Sequence, residues 1–221
     1  MTAELEIDFV SDVACPWCAV GLNALETALQ RLVPDVAAVL RFQPFELNPD
    51  MAAEGADAAE YLKAKYGMGD EQLAHSRAVI RERGAAVGFT FGERVRVWNT
   101  FNAHRLLHWA AQSTQPGQPP GAQRALKHAL LQAYHGEGRN PGAADVLLAL
   151  AGRVGLDVAA AEEVLHSGRY ADEVRAAEQR WQQAGIRSVP AIVINGKHLI
   201  SGGQPPEVFE QALRQIASGQ G

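Results

Sequence analysis

Strand-type and helix-type patterns are segregated along this chain, and their order constrains the fold more than any other feature. LEIDFV (5–10) alternates Leu5, Ile7 and Phe9 with Glu6 and Asp8, the period of a half-buried strand. Ser11 and Asp12 are turn and cap formers, and Pro16 suits a first helical position. Val20, Leu22, Leu25, Leu29 and Leu32 then form an apolar stripe at helical spacing that stops before Pro34. VAAVLRFQPF (36–45) reads as a second strand, so residues 1–45 predict a strand–helix–strand unit with a parallel, right-handed crossover. From Glu46 to about residue 185 the periodicity is helical, broken by loops at 48–57, 112–121 and 135–142. The flanks of the 112–121 loop, WNTFNAHRLLHWA and ALKHALLQAY, are expected to pack as an antiparallel pair. Strand character returns only in VPAIVINGKHLISGG (189–203), where Asn195-Gly196 tolerates positive φ and predicts a type I′ hairpin. PPEVFEQALRQIA (205–217) follows as an amphipathic helix presenting Val208, Phe209, Leu213 and Ile216. The predicted order is β-α-β, a helical block, then β-β-α.

Composition narrows the function. With 221 residues, 47% hydrophobic and 20% charged, the chain reads as soluble and globular, large enough for one domain with a substantial insert. A net charge of −5, without any Lys/Arg block on a predicted face, argues against nucleic acid as partner. MTAELEIDFV has no cationic stretch before its apolar run, unlike a secretory signal, and no apolar run approaches the length of a membrane span. The expectation is a cytoplasmic protein with no membrane partner. In that compartment a close cysteine pair is more often catalytic, redox-sensing or metal-binding than a permanent staple.

The only two cysteines, Cys15 and Cys18, flank Pro16-Trp17 at the predicted strand-to-helix turn. At a helix N-terminus the Cys15 sulfur faces unpaired N–H groups and the positive end of the dipole, which favour its thiolate. Cys18 lies one turn on, within reach of a reversible disulfide. A redox pair would use Cys15 as the exposed attacking thiol and Cys18 as the more buried resolving one, with Pro16 and Trp17 tuning geometry and access. Two alternatives compete with that reading. Both thiols are small enough to be core residues, and a zinc site could draw on His104 and His108, spaced i, i+4 in HRLLH. The histidines lie much farther from the cysteines than in a compact zinc finger, so no metal is expected. Ser188-Val189-Pro190 precedes a predicted strand, where proline is tolerated.

Five separated segments, SDVACPWCAVG (11–21), FQPFELNPDM (42–51), WNTFNAHRLLHWA (98–110), SVPAIVING (188–196) and LISGGQPPEVF (199–209), give the chain a family likeness. It resembles the DsbA-like thioredoxin-fold oxidoreductases, most closely their FrnE-like cytoplasmic branch. The resemblance implies an α/β thioredoxin fold with a large α-helical insertion between its βαβ and ββα halves. The thioredoxin-like part would be residues 1–47 and 180–221, and the inserted helical domain residues 48–179. It also implies Cys15 as nucleophile, Cys18 as resolving thiol, and a cis Val189–Pro190 bond whose backbone faces an extended substrate. Protein or low-molecular-weight thiols and disulfides would be the partners, and the protein a monomer or homodimer. Trp98 stands where the family often has proline, and Trp17 where periplasmic members carry histidine. The expectation is therefore a less extreme oxidant, with Asp12 raising the Cys15 pKa.

The same lineage resembles 2-hydroxychromene-2-carboxylate isomerases and kappa-class glutathione transferases, which usually carry serine at the Cys15 position. The DsbA-like resemblance implies no organic cofactor, and the likeness to the glutathione-using groups adds glutathione as a possible co-substrate. Asn48, Asn99, His104 and Arg105 are candidates for lining a small-molecule groove, Asn99 and Arg105 foremost. Met51, Met68, Trp98, Phe101 and Trp109 would supply either an adaptable apolar surface or core, and Trp181 packing. The retained Cys18 favours disulfide exchange over a glutathione-dependent isomerase or transferase, and over a redox- or zinc-responsive binding protein.

Overall fold

Strand β1 (Ala3–Ser11) is the second strand of a four-stranded sheet, with Leu5, Ile7 and Phe9 buried on one face, Val10 buried on the other, and Glu4 and Glu6 exposed. The computed structural model describes residues 3–112 and 119–219, so most of the expected 112–121 loop lies outside the described residues. Helix α1 (Pro16–Arg31) carries the chain back to β2 (Val36–Pro44), which pairs with β1 in parallel from Ala3↔Val36 to Ser11↔Pro44, as the sequence predicted. β5 (Ala191–Ile194) runs antiparallel on the other side of β1, and β6 (His198–Ser201) completes the order β2-β1-β5-β6. Between β5 and β6, Asn195 and Gly196 take φ of 52° and 65°. The Lys197 N–H bonds back to the Ile194 carbonyl at 3.1 Å, closing the expected tight turn.

All four β5 residues are buried, which alternation cannot produce and a two-sided core requires. Ile192 and Ile194 join Leu5, Ile7 and Phe9 beneath α1 and α9 (Pro206–Ala217), while Ala191 and Val193 pack with Val10, Phe45 and Ile186 on the opposite face. Leu22, Leu25, Phe209 and Leu213 are fully buried where α1 and α9 meet, each contributing about 1.5–3 kcal/mol. Val208 is exposed rather than part of that face, because the α9 stripe runs through Phe209, Leu213 and Ile216. Two X–Pro bonds are cis, Val189–Pro190 as expected and Val33–Pro34.

The helices lie between these halves in sequence. A two-residue ribbon, β3 (Ala56–Asp57) with β4 (Arg96–Val97), frames α2 (Ala58–Tyr66) and α3 (Asp70–Ala86). It is too short to leave a period in the sequence. α4 (Phe101–Ala110) packs with α5 (Ala122–Leu131), which continues into a π turn at Gln132–Gly136, and α6 (Ala144–Arg153), α7 (Val158–Ser167) and α8 (Ala171–Gln183) follow. Leu106, Trp109, Leu126, Leu130, Tyr134, Leu147 and Val164 form a second core there. Trp109 is thereby buried, Trp98 packs on the same core, and Phe101 lies 3.9 Å beneath the Arg175 guanidinium. Trp181 packs against the Val10–Phe45–Ile186 cluster.

Candidate active site

Cys15 is the N-cap of α1 and Pro16 its first residue, so the cysteine sits where the helix has no preceding turn to bond. The Cys15 thiol lies 3.5 Å from the Val189 carbonyl, to which it donates, and the Cys18 N–H bonds to the Cys15 carbonyl at 3.1 Å. Cys15 is 4% exposed and Cys18 not at all. The attacking position is therefore the floor of a cavity rather than an exposed tip, and the order of accessibility is the expected one. A hydrogen bond from the Cys18 thiol lowers the Cys15 pKa against the effect of burial, helped by the N–H groups of Cys18 and Trp17. Burial and the neighbouring Cys15 push Cys18 well above the ordinary thiol value.

Two glycines let the parts meet. A Cβ on Gly21 would stand 3.1 Å from Pro190 Cγ, and one on Gly203 would stand 2.9 Å from the Trp17 carbonyl oxygen. Hydrogen at both positions brings the cis-proline loop and the loop after β6 against the first turns of α1. Val189 precedes β5 and stands outside the sheet ladder.

A buried polar cluster holds the turn before Cys15. Asp12 is fully buried and accepts from the Ala14 N–H (3.0 Å), the Leu47 N–H (2.7 Å), the Thr100 hydroxyl (2.8 Å) and His104 Nε2 (3.3 Å). Burial opposes its ionisation, but His104 and the two N–H groups outweigh burial and hold the carboxyl below its usual range. Its charge does raise the Cys15 pKa as expected, yet the Cys18 and backbone hydrogen bonds prevail. His135, on the π turn, bonds the Val13 carbonyl through Nε2 at 2.8 Å, and burial drives its pKa down to about 3, so the ring is neutral and Nε2 donates. Arg94 donates to the Ala14 carbonyl at 3.1 Å. Lys127, 1% exposed, has its pKa lowered by burial against the opposing charges of Cys18 and Asp12. Thr100, His135, Arg94 and Lys127 were not singled out from the sequence. A polar residue inside an apolar helical stripe was the available signal for Lys127, between Leu126 and Leu130.

Above Cys15 opens a cavity of about 630 Å³, bounded by Pro16, Trp17, Val189, Glu46, Lys65, Tyr66 and Arg94. Asn48 lies on its wall, its Oδ1 accepting from Tyr61 (2.9 Å) and Lys65 (2.6 Å). Met68 lines the same cavity, and Met51 a shallower depression beside it. Glu46 is pushed up to about 7, chiefly by burial, with Arg175 and His104 opposing and Glu178 adding to the rise. The remaining groove candidates lie elsewhere. Asn99 donates to the Met51 carbonyl and accepts from the Phe101 N–H. Arg105 is buried on the carbonyls of Val164, Leu165 and Arg169, tying α4 to α7 and its following loop. His104 is taken by Asp12, and the His108 ring stacks 5.2 Å from Tyr170. Among the described residues no group of three or more His, Cys, Asp or Glu is arranged to hold a metal.

A β2-β1-β5-β6 sheet with a Cys-x-x-Cys pair opening α1 beside a cis-proline defines the thioredoxin-fold class. Within that class, the DSBA-like thioredoxin domain model matches residues 6–214, and the chain belongs to this DsbA-like family. The solved structures agree. A probable DsbA oxidoreductase from Streptomyces coelicolor is 35% identical with a TM-score of 0.86, covering 98% of this chain and 91% of that one. A 2-hydroxychromene-2-carboxylate isomerase shares the fold at 16% identity and TM-score 0.70, over 97% of each chain. So does the cytosolic disulfide reductase DsbM from Pseudomonas aeruginosa, with GSH, at 17% identity and TM-score 0.63, over 96% of this chain and 99% of that one. No helix among the described residues is long and apolar enough to cross a membrane.

Proposed function

We propose that the protein catalyses thiol–disulfide exchange in the cytoplasm, with Cys15 attacking and Cys18 resolving. The observation that carries this reading is the opposite bias of two thiols in one turn: Cys15 is held toward its thiolate at a cavity floor, and Cys18 toward its thiol beneath it. The Cys15 thiolate attacks one sulfur of a disulfide R–S–S–R, forming Cys15–S–S–R and expelling RS⁻, which takes a proton from solvent. Cys18 then loses its proton and attacks Cys15 Sγ, and the second RS⁻ leaves and is protonated. Two electrons pass from the cysteine pair to the disulfide, and two donor thiols R′SH then reduce the Cys15–Cys18 bridge back to the dithiol by the same exchange, leaving as R′–S–S–R′. The backbone of Val189, beside Cys15, would pair with an extended peptide substrate, and Pro16, Trp17 and Pro190 would shape the approach; the closeness of Val189 to Cys15 and the cis Val189–Pro190 bond support this.

The enclosing wall from α2 and α3 favours a small disulfide, since about 630 Å³ lies within the range of ligand pockets. Glutathione fits this role as co-substrate, and the likeness to a cytosolic disulfide reductase solved with GSH supports both the substrate class and the compartment. The test uses Cys18→Ser protein mixed with glutathione disulfide. A stable adduct of one glutathionyl group on Cys15, read by mass spectrometry, is the expected result. Full turnover without an adduct would contradict the exchange reading and favour a glutathione-dependent isomerase or transferase.

A further inference from the structure

A second cleft, of about 490 Å³, opens on the other side of the Arg94 wall. Pro16, Ile80 and Arg94 line both cavities, so the cleft begins where the Cys15 cavity ends. Its remaining surface includes Arg77, Arg81 and Phe91, with the buried His135 below and Glu93 as its one carboxylate. Arg77 and Arg81 stand i, i+4 on α3 and are exposed, and their other neighbours at helical spacing are Leu73, Ala74, Ala78, Ile80, Gly84 and Ala85. Neither guanidinium makes an ion pair or hydrogen bond among the described residues, although the Arg77 charge reaches Asp57 from a distance. Two like charges at this spacing disfavour the helix, and no carboxylate among the described residues pairs directly with either guanidinium to offset that cost. Arg31, Arg41, Arg124, Arg139, Arg169, Arg175 and Arg214 by contrast each hold a carboxylate, and Arg94, Arg96, Arg105 and Arg187 donate to backbone carbonyls.

We propose that this cleft is an anion subsite that holds the carboxylate-bearing distal half of a low-molecular-weight disulfide while its sulfurs lie at Cys15. The inference rests on the exchange reading above and deepens it, giving the substrate a charge as well as a size. One thiol half occupies the first cavity. The other crosses Pro16 and the Arg94 side chain so that its carboxylates meet Arg77 and Arg81, with Ile80 and Phe91 flanking its apolar part. Planar guanidinium groups match carboxylates in two-point contact, which a lysine pair would not. Attraction at an exposed site of this kind is screened by salt.

The experiment compares glutathione disulfide with neutral bis(2-hydroxyethyl) disulfide as substrates of the wild type and of Arg77→Gln/Arg81→Gln, at low ionic strength. Glutamine keeps helix propensity, and turnover of the neutral disulfide reports on folding. The double substitution is expected to raise KM for glutathione disulfide about fivefold with kcat unchanged, to leave the neutral substrate unaffected, and to lose its effect in concentrated salt. A KM that rises equally for both substrates, or for neither, overturns the subsite and leaves the exchange reading intact. Should the wild type exchange neither disulfide, the exchange reading falls. The subsite then rests on equilibrium binding of glutathione disulfide to Cys15→Ser protein: weakening by the double substitution supports it, and equal affinity overturns it.

Discussion

The sheet half of the molecule and the helical segment between residues 46 and 185 both act on one turn, Asp12–Cys18, and do so by different means. From the sheet half come backbone and shape: β1 delivers the turn, Pro16 starts the helix, and Gly21 and Gly203 admit the cis-proline loop and the chain after β6. From the helical segment come side chains. Thr100 and His104 grip Asp12, His135 holds the Val13 carbonyl, Arg94 the Ala14 carbonyl, and Lys127 lies buried within the field of Cys18. The first set of contacts fixes where the sulfurs are, and the second fixes the electrostatics around them. A thiol core of constant shape is thus tuned by residues far away in sequence.

Cutting the second set should have the largest effect. Asp12→Ala leaves two N–H groups, a hydroxyl and an imidazole without their shared acceptor, and is expected to cost about 3–5 kcal/mol in urea unfolding. Because the Asp12 pKa is lowered on folding, this stabilisation is full above the ordinary carboxylate range and is lost as pH falls below it. A loss below about 1 kcal/mol at pH 7 would mean that the helical segment is not anchored there. Gly203→Ala probes the first set. Its Cβ would meet the Trp17 carbonyl at 2.9 Å, and the forced shift should cost about 1–3 kcal/mol and slow alkylation of Cys15. Unchanged alkylation would show that the start of α1 does not depend on this close approach.

The smallest effect is expected where the two regions join at Glu46, which follows β2 and bonds Arg175 of α8. Its pKa rises from 4.5 to about 7 on folding, so the folded state binds the extra proton and stability falls as pH rises through that interval. Glu46→Gln should match the wild type at pH 4 and exceed it by about 1–2 kcal/mol at pH 8. A variant equally destabilised at both pH values would show that the Arg175 pair outweighs the burial of the charge.

Legibility in the sequence divided along the same line. β1, α1, β2, the Asn195-Gly196 hairpin and the Cys15–Cys18 pair are encoded by local period and spacing, and each appears where the pattern put it. The site's polar supports are long-range pairings such as Thr100–Asp12 and His135–Val13, for which no local pattern exists. Asn99 and Arg105 illustrate the converse. As polar residues in a helical pattern near a presumed groove they read as binding residues, whereas both are occupied by backbone carbonyls, Asn99 by Met51 and Arg105 by the last turn of α7 and Arg169. His104 read as a metal or groove candidate for the same reason, because a sequence does not reveal the buried carboxylate that claims it.

The central claim is that Cys15 and Cys18 cycle between dithiol and disulfide. It is tested most directly by equilibrating the protein across glutathione buffers, alkylating free thiols and weighing the products, with Cys15→Ser alongside. The account predicts a single two-electron transition between about −120 and −270 mV that disappears in the variant. Free thiols at every poise, with glutathione still bound, would contradict it.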